Sequence, residues 1–367
     1  MCHELLTALA ELCEKQGRSI EVLVPSPGLC PVRSPALTEV VLSTFGHNRL
    51  LWDHWTVPRY ANARRNAVLY NPKLILPLGL SIPGFTTLHD LMYYPQPEKY
   101  DWREYSLLDT LYMRMMIRRT VFRAAKTHVV SEKTAADVRS LFPTLDVSRL
   151  RVIHHGVHQS FWLQDGEKEQ VTETGKPYLF YCGGLSKRKN VPVLLQAFQR
   201  FVMRHPDYQL IITGGDYELA RSSSAPFVAR LPSGSFTMLG TVTREQLRTL
   251  YRNARCCICP SLYEGFGLPL LEAQASGCPV ICSHASSFPE VVGTSAMFFD
   301  PHSPEELDAC MERMTLPAER HRLRTLGYVN MQRFSWKTTA QAFLELADEV
   351  AERYWSEKPS HRVMNPL

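Results

Sequence analysis

The sequence predicts an α/β protein made of two doubly wound domains, each a mainly parallel sheet covered by helices on both faces. Three observations carry this. Strand-like apolar runs alternate with helical periodicity through both halves of the chain. The alternation stops once, at the polar, aperiodic stretch from Trp162 to Pro177, which reads as a linker. The 367 residues also suit two domains at roughly 100–200 residues each. The expected boundaries are 1–161 for the first domain, 162–177 for the linker and 178–335 for the second domain. Residues 336–367 form a last helix, packing back toward the first domain, and a tail.

In the first half, Leu5, Leu6, Leu9, Leu12 and Cys13 fall at helical spacing. The runs Ile20–Ser26, Lys73–Leu78, Phe85–Asp90, Thr127–Ser131 and Arg151–Val157 read as strands, with a long helix from Tyr105 to Ala125. In the second half, strands are expected at Tyr178–Gly184, Gln209–Gly215, Ser235–Gly240, Cys256–Ser261 and Pro279–Ser283. Helices are expected at Val191–His205, Arg244–Ala254, Pro269–Gly277, Pro304–Met314 and Thr338–Trp355. In such sheets ligands bind beyond the carboxyl ends of the strands, and two domains on a linker enclose a cleft.

Composition narrows the function classes. With 45% hydrophobic and 21% charged residues the chain is neither disordered nor coiled coil. A formal charge of +5 permits an anionic ligand or an acidic membrane surface, but is too weak to imply nucleic acid. No run reaches the length of a membrane span; the longest candidate, Leu74–Phe85, is broken by Pro77 and Pro83. The start lacks a basic leader followed by an apolar block. The 10 cysteines are read as reduced thiols of a cytoplasmic protein, with Cys256–Cys259 a buried strand. A zinc set of Cys257, Cys259, Cys278 and Cys282 is the weaker alternative.

The segment Cys259–Ser283 carries the strongest chemical signal. Glu264 and Glu272 bracket seven residues that include Gly265-Phe266-Gly267 and Pro269 at the start of a helix. Two glycines let backbone N–H groups approach a ligand, and the helix N-terminus adds unsatisfied donors and partial positive charge. That suits a diphosphate. Carboxylates at both ends of the motif suit vicinal hydroxyls, a sugar at one end and a ribose at the other. The plain alternative is a helix with a tight entry loop and an acid in its first turns. Arg188 and Lys189 follow a glycine-rich turn and make a second anion site, unless they are a solvated surface pair. His89 and Asp90 end a strand, where active-site groups sit in open sheets. Ser131 is expected to cap the helix that follows it, with a ligand role secondary.

These residues resemble a known family. EGFGLPLLE with the following ASGCPVICS is similar to the E-x7-E region of retaining glycosyltransferases of the GT-B fold, family four, also called group one. Tyr181–Phe198 and Leu239–Ala254 resemble its phosphate-binding strand–loop–helix and the stretch leading into the site. Thr86–Tyr94, His128–Val138 and Arg151–Trp162 match its N-terminal landmarks, so the likeness spans nearly the whole chain. It implies a GT-B architecture of two Rossmann-like domains facing a cleft, with the acceptor on the N-terminal side. It implies further that Glu264, His89 and Asp90 are catalytic. Arg188, Lys189, Gly265, Phe266, Gly267, Leu268 and Glu272 would bind a nucleotide-sugar donor, and Ser131 would lie on the acceptor side. The expected reaction moves a hexose from a nucleotide sugar to a hydroxyl of a glycan or lipid-linked sugar, with retention. GDP-mannose is favoured over a UDP-hexose. No metal or other cofactor is expected, since no D-x-D is visible and the cations can neutralise the leaving group.

The segment Arg114–Lys126, with Arg114, Arg118, Arg119, Arg123 and Lys126, suits peripheral contact with anionic lipid, or is an ordinary amphipathic surface helix. Two departures from the family stand out. Gly184 replaces a frequent Arg or Thr. The family opens with a strand and a glycine-rich loop, whereas this chain opens on the helical pattern of MCHELLTALAEL. The expectation is that Met1 is an internal methionine of a longer protein and that the chain as given has a weakened first domain and little transfer activity. The competing function is a non-catalytic nucleotide-sugar-binding or truncated relative. An oxidoreductase is disfavoured because no G-x-G-x-x-G follows the first strand of either half.

Overall fold

A computed structural model of the chain describes residues 2–94, 105–163, 176–214 and 224–356. Among the described residues twelve strands form three parallel sheets. They are β1 Ile20–Val24, β2 Leu37–Val41, β3 Leu69–Asn71, β4 Gly84–Leu88, β5 Lys126–Val129 and β6 Leu150–Val152 in the first half. In the second half they are β7 Tyr178–Cys182, β8 Gln209–Thr213, β9 Phe236–Met238, β10 Cys256–Cys259, β11 Val280–Ser283 and β12 Met297–Phe299. β7–β12 make one six-stranded sheet in the order β12-β11-β10-β7-β8-β9. Strand order reverses between β7 and β10, which places a ligand crevice beyond their carboxyl ends.

This sheet is buried on both faces, which explains why its strands read as unbroken apolar runs rather than alternating ones. Tyr181, Leu210, Ile258 and Ile281 pack on one side against the Val191–Arg204 helix through Leu194, Leu195, Phe198 and Phe201. Phe180, Cys257, Val280 and Cys282 pack on the other against Leu270, Leu271 and Tyr251. The cysteines act as small core residues, each fully buried aliphatic neighbour adding about 1.5–3 kcal/mol of hydrophobic stabilisation. Among the described residues no group of His, Cys, Asp and Glu has a metal-binding arrangement, Cys257, Cys259, Cys278 and Cys282 included.

The first half divides. β3-β4-β5-β6 form a four-stranded sheet, and β1 pairs only with β2. Among the described residues no ladder joins β1 to β3. The Trp336–Ser356 helix crosses back to this half. Its Ala340, Phe343, Leu344 and Val350 pack against Leu5, Leu9 and Cys13 of the Cys2–Lys15 helix and against Phe85. Arg18 holds Asp348 through both guanidinium nitrogens, at 2.6 and 2.9 Å.

Several elements differ from the sequence-based expectations, β12 among them, for which the sequence predicts no strand. Lys73–Leu78 is not a strand. Pro72 and Pro77 lack N–H groups, Ile75 O accepts from Asn71 Nδ2 at 2.7 Å, and Leu76 N donates to Thr120 Oγ1 at 2.9 Å, so side chains take the bonds a ladder would use. β2 and β3, unassigned from the sequence, are short and only half-buried. The Pro317–Met331 helix was also unassigned; Gly327 interrupts its pattern and lies where a side chain would press on Gln274. Most of the Trp162–Pro177 linker lies outside the described residues.

Candidate active site

β10 runs into the loop Pro260–Gly267, and the helix Leu268–Ala275 follows. Gly267 adopts φ +107° to turn the chain into that helix, and a side chain there would meet Phe288. Pro269 is the second helical residue, where a missing N–H costs nothing. The loop is held by its carbonyls. Ser286 Oγ donates to Glu264 O at 2.6 Å and Ser287 Oγ to Phe266 O at 2.8 Å. Both serines lie past β11 and carried no sequence signal, being serines in a polar turn.

Glu264 points to the cations named from the sequence. Its Oε1 lies 2.5 Å from Lys189 Nζ, 3.0 Å from Arg188 Nη1 and 3.0 Å from Ser261 Oγ. Burial alone would raise its pKa, but Lys189 and Arg188 hold the carboxyl below the usual range. Arg188 and Lys189 belong to a short turn after β7. Asn190, with φ +54°, locks that turn by donating to Pro260 O at 3.1 Å and Pro301 O at 2.7 Å. Glu272 sits farther into the helix. Its Oε2 accepts from Tyr251 OH at 3.4 Å, and burial pushes its carboxyl up to about 7.

The N-terminal half meets this loop directly. His89 and Asp90 follow the end of β4. His89 Nε2 lies 3.0 Å from Pro72 O; a carbonyl only accepts, so Nε2 carries the proton and Nδ1 is an acceptor. Burial lowers the pKa of His89, keeping the ring neutral. Asp90 accepts from Met92 N at 3.1 Å, and burial raises its pKa, with Glu264 adding to the rise. Gly265 is the point of contact: a Cβ there would fall 1.6 Å from His89 O and 3.3 Å from Asp90 Cβ.

Ser131 caps the Glu132–Leu141 helix as expected, accepting from Thr134 N at 3.0 Å. It is fully buried, however, and its hydroxyl lies 2.7 Å from Gly265 O. Ser131 thus ties the first half to the loop of the second through Gly265 O. Phe266 is buried against His154, His155 and Phe334, so only its backbone can face a ligand. Two further ties escaped sequence analysis. Tyr263 OH donates to Asp137 Oδ2 at 3.1 Å and accepts from Leu91 N at 3.2 Å. Glu290 accepts from His154 Nε2 at 2.7 Å and from Glu132 N, the first N–H of the Ser131-capped helix, at 2.8 Å.

The site thus joins two cations, a carboxylate and a helix N-terminus on one wall with a neutral imidazole and a second carboxylate on the other. Such an arrangement binds an anion and stabilises its growing charge. The profile for Glycosyl transferases group 1 matches residues 164–328, and that for Glycosyltransferase Family 4 matches residues 3–161. The O-antigen chain mannosyltransferase B of Escherichia coli is 29% identical over 289 residues, covering 74% of this chain and 72% of that protein. Alpha-maltose-1-phosphate synthase of Mycolicibacterium smegmatis is 26% identical over 293 residues, covering 74% of each. The solved sucrose-phosphate synthase from Thermosynechococcus elongatus shares the fold at a TM-score of 0.70, with 19% identity over 93% of this chain and 91% of that one. With both halves matched by these profiles and the fold shared with the solved synthase, this chain belongs to the group 1 glycosyltransferases of the GT-B fold.

Proposed function

We propose that this glycosyltransferase moves a hexose, mannose before others, from a nucleotide sugar to a hydroxyl of a glycan or lipid-linked sugar, with retention of configuration. The observation that carries the reading is the convergence of Arg188 and Lys189 on Glu264 beside the Leu268–Ala275 helix N-terminus. The donor diphosphate lies against these cations and the helix N–H groups. The bond from the anomeric carbon to the phosphate oxygen breaks, and the nucleoside diphosphate leaves with its charge neutralised. The acceptor oxygen bonds to the anomeric carbon from the same face, and its proton passes to the departing phosphate oxygen. Glu264 stabilises the positive charge developing on the sugar, as carboxylates do in glycoside hydrolysis. His89 Nδ1 and Asp90 accept from hydroxyls on the other wall. The mannosyltransferase relative supports mannose, and GDP-mannose is the corresponding donor. We infer a cytoplasmic location, peripheral to the inner face of the membrane.

Thermal shift across GDP-mannose and the UDP-hexoses identifies the donor, since a ligand of the folded state raises Tm. Release of nucleoside diphosphate only when an acceptor is added then establishes transfer. A chain that binds the donor but releases nothing is a non-catalytic binder, and the catalytic reading fails. Turnover is expected to persist in excess EDTA, while Arg188→Ala and Lys189→Ala each weaken nucleoside diphosphate binding by about tenfold or more. A strict divalent requirement, or unchanged affinity in both variants, would remove the cations from the leaving-group role.

Glu272 adds a pH signature. Ribose hydroxyls donate to its ionised form, so donor binding favours loss of the proton. With the free carboxyl at about 7, affinity should rise as pH increases through neutrality. The diphosphate titrates in the same range, so the measurement is the difference between wild type and Glu272→Gln by calorimetry. Wild type should gain more affinity than the variant between pH 6 and 8, by up to about tenfold, the rise in ionised fraction of a carboxyl that titrates at about 7. Parallel curves would place Glu272 away from the ribose.

A further inference from the structure

The Leu107–Arg123 helix covers the four-stranded sheet with Met113, Met116, Ile117 and Val121. Its other face is unusual for a surface. Leu107 is 74% exposed, Leu108 79%, Leu111 53% and Met115 62%. Leu107, Leu111, Met115, Arg118 and Phe122 fall on one stripe at helical spacing, about 22 Å long at 1.5 Å per residue. Isolated exposed leucines need no explanation, but a contiguous apolar row marks a surface that meets something.

The charge at the end of the row says what it meets. Met115, Arg118, Arg119, Phe122, Arg123 and Thr144 line one cavity. Arg119 and Arg123 also line its neighbour, of about 370 Å³, together with Arg149 and Arg353. Among the described residues no Asp or Glu lines either cavity. The two ends of the basic segment seen in the sequence face elsewhere. Arg114 Nε donates to Tyr93 O, and Lys126 Nζ pairs with Glu349 at 2.5 Å. Arg149 Nη1 likewise donates to Phe122 O at 2.8 Å. The relevant surface is therefore shifted toward the start of the helix, with apolar residues first and the guanidinium groups of Arg118, Arg119, Arg123 and Arg353 after them.

We propose that this face docks the protein on an anionic bilayer, with Leu107, Leu108, Leu111 and Met115 in the interfacial layer and the arginines on lipid phosphates. An apolar row beside Arg residues that can reach phosphates is the pattern of an interfacial helix. Arginine forks bind phosphate oxygens in pairs. A second copy is a poor occupant, because a two-fold contact through this face would bring its guanidinium groups toward an identical set. The helix begins beside the cleft, where Tyr105 packs at a tilt against Tyr93, three residues past Asp90, at 4.8 Å between ring centroids. A bilayer held here brings a lipid-borne acceptor to the cleft mouth, a consequence that rests on the acceptor reading above; the docking does not.

The full chain is sedimented with vesicles of phosphatidylcholine alone and of equal parts phosphatidylcholine and phosphatidylglycerol, without nucleotide sugar or acceptor. Binding is expected only to the anionic vesicles, weakening with salt. Leu108→Ser with Leu111→Ser, and separately Arg118→Glu with Arg123→Glu, should each lower the partition coefficient by about tenfold or more. All four positions are exposed, so folding and transfer to a water-soluble acceptor should persist. Equal binding to neutral vesicles, or undiminished binding of both double variants, overturns the proposal. So does a wild-type dimer that the leucine changes dissociate, or full displacement by inorganic phosphate at matched ionic strength. Wild-type protein that docks but transfers no sugar to any acceptor counts against the functional reading and leaves the docking intact.

Discussion

Glu264→Gln is expected to lower turnover by about 10²–10³-fold, the scale for losing one preorganised electrostatic contact in a buried site. The amide preserves shape and the bond from Ser261, so the loop held by Ser286 and Ser287 should stay in place. What disappears is the negative charge. Its loss has two opposite consequences. The anomeric carbon loses a carboxylate as positive charge develops, which slows the chemical step. Lys189 and Arg188 lose their present partner, so donor phosphates no longer compete with it. Donor affinity should therefore hold or improve while kcat falls, a split that general damage to the site would not produce. It is read from initial rates across donor concentration beside direct binding of nucleoside diphosphate. Turnover within a few-fold of wild type, or a parallel loss of affinity and rate, would place Glu264 outside the reacting centre.

Gly265→Ala is expected to cost about 10²-fold or more in kcat/KM, although it adds only a methyl group. That group would stand 1.6 Å from His89 O and 2.7 Å from His89 C. Both atoms are backbone, so no rotamer change relieves the overlap. The loop or the strand end must move by more than an ångström, and misplacement on that scale costs about 10²-fold in rate. The shift also strains the bonds from Ser131 and Thr134 to Gly265 O. Nucleoside diphosphate binding should change much less. Asn190 anchors the Arg188–Lys189 turn and Tyr251 contacts Glu272, both inside the second half. Rates near wild type would show that the two walls separate freely during turnover. A lost nucleotide site would show that the glycine supports the second half itself.

The family, the doubly wound character of the chain and most residues of the Glu264–Arg188–Lys189 cluster are legible in the sequence, because those features are local. Glu264, Gly265, Gly267 and Glu272 lie within nine consecutive residues, and Arg188 and Lys189 are adjacent. Strand and helix periods reveal where buried elements run, since burial imposes those periods. Periodicity is silent where burial is partial, where a strand has only three residues, or where side chains replace the ladder, as at β2, β3, β12 and Lys73–Leu78. Tertiary structure alone decided what faces what. Ser131 Oγ meets a carbonyl 134 positions away, Tyr263 reaches Asp137 across 126, and His89 O abuts Gly265. It also decided that Arg114 and Lys126 face inward contacts while Leu107, Leu108 and Leu111 lie bare. A local pattern records that a residue is apolar or charged. Which neighbour satisfies it depends on how sheets and helices separated by a hundred residues come together, and a single sequence carries no local trace of that packing.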